Sequence, residues 1–487
     1  MNSDRVMLAS LIKAVIGKDV LASRDAWRPA IRPAGFSFPF AAVFPWQIWV
    51  RDNGDVKTDF NPDAFYPHSG NQLFAGWKHL YLDNVSGASG NDGLTYATPK
   101  QAFSSIVTLV NAATEPGCVV WVKYTGTDYI RSHSWNGGTR LNKSVAIVGY
   151  GNSKPVFGMH DNAGTWALDG TYTNCYSVGT FATVQNVANM LNFDEFGYKT
   201  LFTDYGTPAA LDAAPAGVDG YAVDGSKTYV RRADGAVPSN TNTRCYRPSV
   251  EGPRGPTAGN CYVWNLNFEG GNNGNFIGDS NPTGRVMLFN VGHFYAGRPS
   301  GPTDACKARD IYSLIAYRNV FAYASSDGFD LTPAGSPTTI PVGVAIECIS
   351  LRNGSTGTQS NNGFTGHGGS KTILIGGASI ENYGGNVAYI DDDTQVWAIC
   401  HSSIRSLGDI AVGGTIAPVN YQTLEGCEMW LDTCYSERDP TDATARDFAA
   451  SGATNGSYIY HRNMQFAGDG GEVMETRGGG RIATYEG

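Results

Sequence analysis

The sequence predicts an all-β solenoid of parallel coils, and three observations predict it. Glycine supplies 61 of the 487 residues, nearly twice its usual share of about 7%, with no collagen period, so the chain turns often. Short alternating strands recur with no convincing long helix between them. A polar turn also returns at a regular step. VFAYASSDGF (320–329), ISLRNGSTGTQSNNGF (349–364), ASIENYGGNVAY (378–389) and SSIRSLGDIAV (402–412) each run strand, polar turn, Asp or Asn, strand. Aligning Asp327, Asn362, Asn386 and Asp409 gives steps of 35, 24 and 23 residues, as in repeats that grow along one axis.

Taken in order, residues 1–80 differ from the rest. MNSDRVMLASLIKAVIGKDV reads as a short amphipathic helix interrupted by Lys13. It lacks a small-residue cleavage site, so no signal peptide is expected. WRPAIRPAGFSFPFAAVFPWQIWV follows, dense in proline and aromatics, as in an anchoring or capping region. At 81 the texture becomes repetitive. Thr98-Pro99 offers an N-cap and a first-turn proline for a helix, 119–123 reads as a strand, and SVAIVGYGNSKPVFGM as two strands around a glycine turn. NCYVWNLNF and RVMLFNVGHFY read as earlier coils, while 160–260 reads as an insertion. The expected organisation is therefore an anchoring region over 1–80 and a solenoid over 81–487 carrying that insertion. Coils of ~25 residues stacked at ~4.8 Å predict about 14 of them and a rod of roughly 65–70 Å.

Composition excludes several functions. A net charge of −9 with no Lys/Arg cluster argues against nucleic acid. No apolar run reaches the ~18 residues of a membrane span. Nine cysteines are scattered from Cys118 to Cys434 without a CxxC pair and read as buried thiols. No cofactor and no metal is expected.

The series NDGLTYATP, PGCVVWVKYTGTDY and VAIVGYGNSKPVF resembles the opening of a right-handed parallel β-helix of the pectate-lyase type, in which a capping helix precedes the coils. On such a scaffold, equivalent residues of successive coils lie one strand spacing apart. DGFDL, NGFTGHGG and NVAYIDDDTQVW then fall on one strand of three coils, gathering Asp327, Asp330, His367 and Asp391 as candidate catalytic residues. Asp392 and Asp393 come with them, and Tyr389 and Trp397 stand beside them as sugar-stacking planes. Paired carboxylates serve as acid and base in glycoside cleavage, and their crowding raises one pKa. Alternation favours Asp330, His367 and Asp391 facing outward, with Asp327 at the turn on the groove's edge. The plain alternative is that Asp and Asn build polar turns without chemistry. Glu347, in VAIECISL, is either a bend residue paired to an arginine or a carboxyl of the site; Tyr389, Trp397, Asp393 and Glu347 are the substrate-binding candidates.

SDGFDL, IECISL and FTGHGG are also similar, over about 45 residues, to motifs of polygalacturonases, although no acid pair stands beside Cys348 and no RIK triplet follows. That likeness implies an acid/base role for Asp327 and a site-shaping role for His367. The whole chain resembles phage tailspike depolymerases. The resemblance implies a homotrimer joined to a virion through its N-terminus, acting outside the cell on a bacterial surface polysaccharide. The apolar segment 27–50, without an obvious partner inside a rod, adds to the expectation of a trimer. Hydrolysis is favoured over lyase chemistry because the patch is acid-rich and holds no lysine except Lys371. A secreted pectinase-like enzyme and a non-catalytic glycan-binding rod are the alternatives.

Overall fold

The computed structural model describes residues 26–135, 140–179, 183–247, 251–272, 274–297, 303–333, 339–354, 361–408, 418–452, 455–467 and 472–485. One coil shows the construction. Strand Lys371–Ile375 bends at Gly376–Gly377 into strand Ala378–Ile380, which bends at Glu381 toward strand Val387–Ile390. The chain then returns to the first sheet at strand Gln395–Ile399. Repetition builds three sheets, of twelve, nine and eight strands. Every neighbouring pair in them is parallel, and the register runs on from coil to coil, for example Thr372↔Val396↔Met429↔Ile459 along the twelve-stranded sheet, with one bulge between Asn281 and Arg285. This is a parallel β-helix.

The bends have a common backbone solution. In eight consecutive strands of the twelve-stranded sheet, from Cys261–Trp264 to Tyr458–Arg462, the residue after the strand takes a positive φ: Asn265, Asn290, Arg318, Glu347, Gly376, Cys400, Thr433 and Asn463, at 51–62°. That left-handed conformation turns the chain sharply within one residue, at roughly 1–2 kcal/mol for a residue with a Cβ. A second such row, Tyr295, Tyr323, Arg352, Glu381 and Arg405, follows the nine-stranded sheet. The interior holds packed aromatic rings such as Phe321, Phe329 and Phe364, tilted or edge-on to one another. An amide ladder runs beside them. Asn353 donates to Asn382 at 3.0 Å, Asn382 to Asn386 at 3.0 Å, and Asn386 to Asn420 at 3.2 Å. Each amide both donates and accepts, so the buried ladder leaves its members satisfied. All nine cysteines are buried free thiols.

The outer face of the twelve-stranded sheet is apolar and is covered by residues 36–77. Phe36 lies against Trp397 and Trp430, at 6.1 and 5.7 Å between ring centroids. Phe60 stacks on Phe289, and Phe65 on Tyr262. At the end of this strap Trp77 covers Gly117, where a Cβ would sit 2.6 Å from the indole. The segment 27–50 therefore has its partner within the rod, which corrects the expectation that it awaits another chain. Two further expectations change. The capping helix is Phe103–Ala112, and Thr98 belongs to the preceding turn, where its hydroxyl donates to Asp92 at 2.5 Å. The longest sheet has twelve strands rather than about 14, because Met159–Ser249 leaves the coil pattern. The expected N-terminal helix lies outside the described residues.

Residues Met159–Ser249 form their own compact unit. Strands Tyr176–Val178, Gly220–Val223 and Thr228–Arg231 pair antiparallel, as do Val187–Phe193 and Thr243–Cys245, around Trp166, Phe202, Tyr221 and Val230.

Cutting the strap's anchor tests this packing. Phe36→Ala should cost about 3–5 kcal/mol, the usual loss for a buried phenylalanine, read as a lowered denaturant midpoint. An unchanged midpoint would mean that the strap does not stabilise the rod.

Candidate functional site

The eight-stranded sheet aligns three short strands, Cys306–Ala308, Phe329–Leu331 and Phe364–Gly366. Their register pairs Lys307 with Asp330 and Asp330 with Thr365. Phe329 and Leu331 are completely buried in the interior, so alternation turns Asp330 to the outer side. The residues just before the strands are also linked. Asp304 Oδ1 accepts from the Asp327 amide at 3.3 Å, Asp327 Oδ1 from the Asn362 amide at 2.6 Å, and Asn362 Oδ1 from the Gly385 amide at 3.0 Å. Gly328 lets the chain pass from this turn into the strand, since a Cβ there would meet Ser350 Oγ at 2.5 Å. Asp327 thus has a turn-holding role, and its carboxylate also reaches the place where Asp330 and His367 meet.

Lys307 Nζ lies 2.7 Å from Asp304 Oδ2 and 2.9 Å from Asp330 Oδ2. Those two oxygens are at most the sum of these distances, 5.6 Å, apart. Thr332 Oγ1 donates to the other oxygen of Asp330. At the rim, His367 Nδ1 stands 3.5 Å from Asp391 Oδ2, which also accepts from the Gly368 amide at 3.1 Å, and Thr365 approaches the other ring nitrogen. Asp327, Asp330 and His367 each offer one ligand atom, all within 4.8 Å of one another. Such a set can in principle hold a cation, but the lysine already balances Asp330.

Burial and partners separate the two acids on Lys307. Burial pushes Asp304 above the usual carboxylate range, the charge of Asp330 adds to this, and Lys307 opposes it. Burial also acts upward on Asp330, but Lys307, then His367 and the hydrogen bonds from Thr332 and Lys307, outweigh it and hold that acid low. Burial alone would lower Lys307; Asp330 and Asp304 overcome it and keep the ammonium charged. Two acids pushed apart around one cation can divide the roles of proton donor and anion.

The sequence candidates fall into two groups. Asp327, Asp330, His367 and Asp391 come together. Asp330 is closed off, however, its side chain 2% exposed, which corrects the expectation that it faces outward into an open groove. Tyr389 shares an interior row with Leu331 and Gly366 and is fully buried, so it offers no face to a sugar. Trp397 lies on the twelve-stranded sheet beneath Phe36 and Phe40. Glu347 is a left-handed bend residue ion-paired to Arg318. Asp393 is exposed on the turn after strand Val387–Ile390, and its backbone carbonyl accepts from Lys371. Asn386 stands one place after the equivalent of Asp327, since Phe329, Phe364 and Val387 are strand partners and Gly385 is therefore the matching position; Asp409 lies outside the described residues. The lysine of the site is Lys307, not Lys371, which opens a strand of another sheet.

Asp304 and Lys307 escaped the sequence reading, although a signal was present. Asp304-Ala305-Cys306-Lys307, Asp327-Gly328-Phe329-Asp330 and Asn362-Gly363-Phe364-Thr365 are one pattern three times: turn acid or amide, small, apolar, polar.

No protein-family model matches the chain, and no curated protein matches it. Solved structures of similar shape include a complex of XylC with xylose, at 10% identity and a TM-score of 0.45, covering 80% of this chain and 69% of that one. A protein described as a glycoside hydrolase aligns at 9% identity and a TM-score of 0.37, over 83% and 96% of the two chains. The tailspike gp61 of Pseudomonas phage phi297 aligns at 11% identity and 0.28, over 76% and 69%. The β-helix assignment rests on this chain's own strand register.

The charge arrangement predicts a pH signature. Asp330 is held low, so its stabilisation is present above the ordinary aspartate value of about 3.9 and is lost as pH falls through its folded value. Asp330→Asn should therefore shrink the difference in unfolding free energy between pH 6 and pH 3. An unchanged difference would contradict the assigned pairing.

Proposed function

We propose that the protein is a polysaccharide depolymerase that hydrolyses glycosidic bonds at the Asp304–Lys307–Asp330 cluster, acting as a phage tailspike on a host capsule, exopolysaccharide or lipopolysaccharide. The observation that carries this reading is the pair of carboxylates held on one lysine with opposite protonation tendencies. Asp304, the acid that retains its proton more readily, gives it to the leaving glycosidic oxygen. Asp330, kept ionised, faces the positive charge that develops on the sugar ring. His367, braced by Asp391, hydrogen-bonds sugar hydroxyls at the rim. Water then completes the cleavage and returns a proton to Asp304. Lys307 stays charged between its two acids and so does not supply the neutral base that a lyase needs, which favours hydrolysis. The facing oxygens are at most 5.6 Å apart, below the ~6.5–9.5 Å that admits a water in inverting enzymes, which favours retention.

A second reading has an observation of its own. The side chains of Asp304 and Asp330 are 6% and 2% exposed, as suits an internal ion cluster beneath a surface that binds glycans without cutting them. Sizing the products after incubation with host polysaccharide decides between the two. The proposal expects shortened chains with the anomeric configuration retained. It also expects a loss of at least ~100-fold in cleavage for Asp330→Asn and for His367→Ala, with Glu347→Gln unaffected. Binding with no shortening would favour the rod, and loss only in Glu347→Gln would move the site to another face.

A homotrimer with attachment through the N-terminus is proposed on the tailspike resemblance alone, since segment 27–50 is already covered. Light scattering should give three times the chain mass; a monomer at micromolar concentration would favour the secreted-enzyme alternative.

A further inference from the structure

We propose that Lys307 is the positioning residue that decides which of the two buried acids carries the site's proton, and so sets the pH range in which the site works. This deepens the hydrolase reading and rests on it for activity, although the protonation pattern can be tested without it. The geometry is specific. Lys307 comes from one coil and Asp330 from the next, joined by strand register, while Asp304 precedes Lys307 by three residues in its own coil. The ammonium therefore bridges two coils and makes similar contacts, 2.7 and 2.9 Å, with two acids in different surroundings.

The surroundings supply the asymmetry. Besides the lysine, Asp330 has two favourable neighbours for its anion, Thr332 and His367. Among the described residues, Asp304 receives the Asp327 amide alone besides the lysine. Other titratable groups close by are Asp327 in the turn, Asp391 behind His367, and the buried Cys306 and Tyr389, both neutral because burial pushes their ionisation far up. On the far side Lys307 has Ile277 as its strand neighbour, and the nearby Arg254 turns to Glu251 and Asp279. Lys307 is thus the cation shared by this pair. Its charge lowers both acids, so removing it raises both, and Asp330, then buried with less compensation, begins to compete for the proton.

The experiment compares wild type with Lys307→Met and Lys307→Arg. On a cleaved polysaccharide, Lys307→Met should move both limbs of the pH–kcat/KM profile upward by about one pH unit or more, while Lys307→Arg keeps the wild-type limbs. A purely structural lysine would lower the rate without moving the limbs, and that result overturns the proposal. Infrared difference titration of carboxyl groups gives a readout that needs no substrate. Wild type should show a carboxyl titrating above the ordinary range that disappears in Asp304→Asn, and Lys307→Met should add a second. An unaltered titration in folded Lys307→Met overturns the proposal even if the enzyme cleaves glycans; the expected titration without any cleavage supports it and refutes the hydrolase reading. Should Lys307→Met not fold, Lys307→Gln serves in its place, and the Asp304→Asn comparison with wild type still decides where the proton sits.

Discussion

Hydrogen-bonded register between coils places a residue about 4.8 Å from its equivalent in the next coil, and the site depends on that constraint. Asp304, Lys307, Asp330 and His367 span more than sixty positions of sequence, yet the pairings Lys307↔Asp330 and Asp330↔Thr365 bring them into one cluster. A slip of one residue would send Asp330 into the interior and turn Phe329 and Leu331 outward, because side chains alternate. The two rows of left-handed bend residues maintain the register by returning each coil to the same corner. A turn that costs a little strain at every coil is thereby repeated at fixed positions, and the strands between follow.

Two faces of the helix solve different problems. The outer face of the twelve-stranded sheet is too apolar to meet water, and the strap with Phe36, Phe60 and Phe65 covers it. The eight-stranded sheet carries the buried ions. Removing two charges from water is expensive, and a buried pair is retained only when its remaining hydrogen-bonding capacity is met. Lys307, Thr332 and the turn amides meet that demand for Asp304 and Asp330. Such a cluster is costly as mere scaffolding. A site that must hold a proton on one acid and withhold it from its neighbour needs this kind of setting.

Much of this was legible in the sequence. The motif DGFDL and its counterpart NGFTGHGG share a pattern of turn residue, glycine, phenylalanine and polar residue, and that pattern is enough to stack Asp330 near His367. What was not legible depends on non-local facts. Trp397 reads as a surface plane until one knows that Phe36, some 360 positions earlier, lies on it. Tyr389 looks like a partner for sugar, but its parity with Leu331 and Gly366 sends it inward. Lys307 hides in TDACKARD because cysteine occupies the place where phenylalanine marks the later coils, so the first instance of the pattern does not look like the others.

Coil register couples Lys307 to Asp330. A double-mutant cycle of Lys307→Met and Asp330→Asn, read as unfolding free energy, measures that coupling directly. The expected interaction energy is at least about 1 kcal/mol, as for residues in one buried ion network. Additivity within ~0.3–0.5 kcal/mol, the behaviour of independent sites, would contradict it.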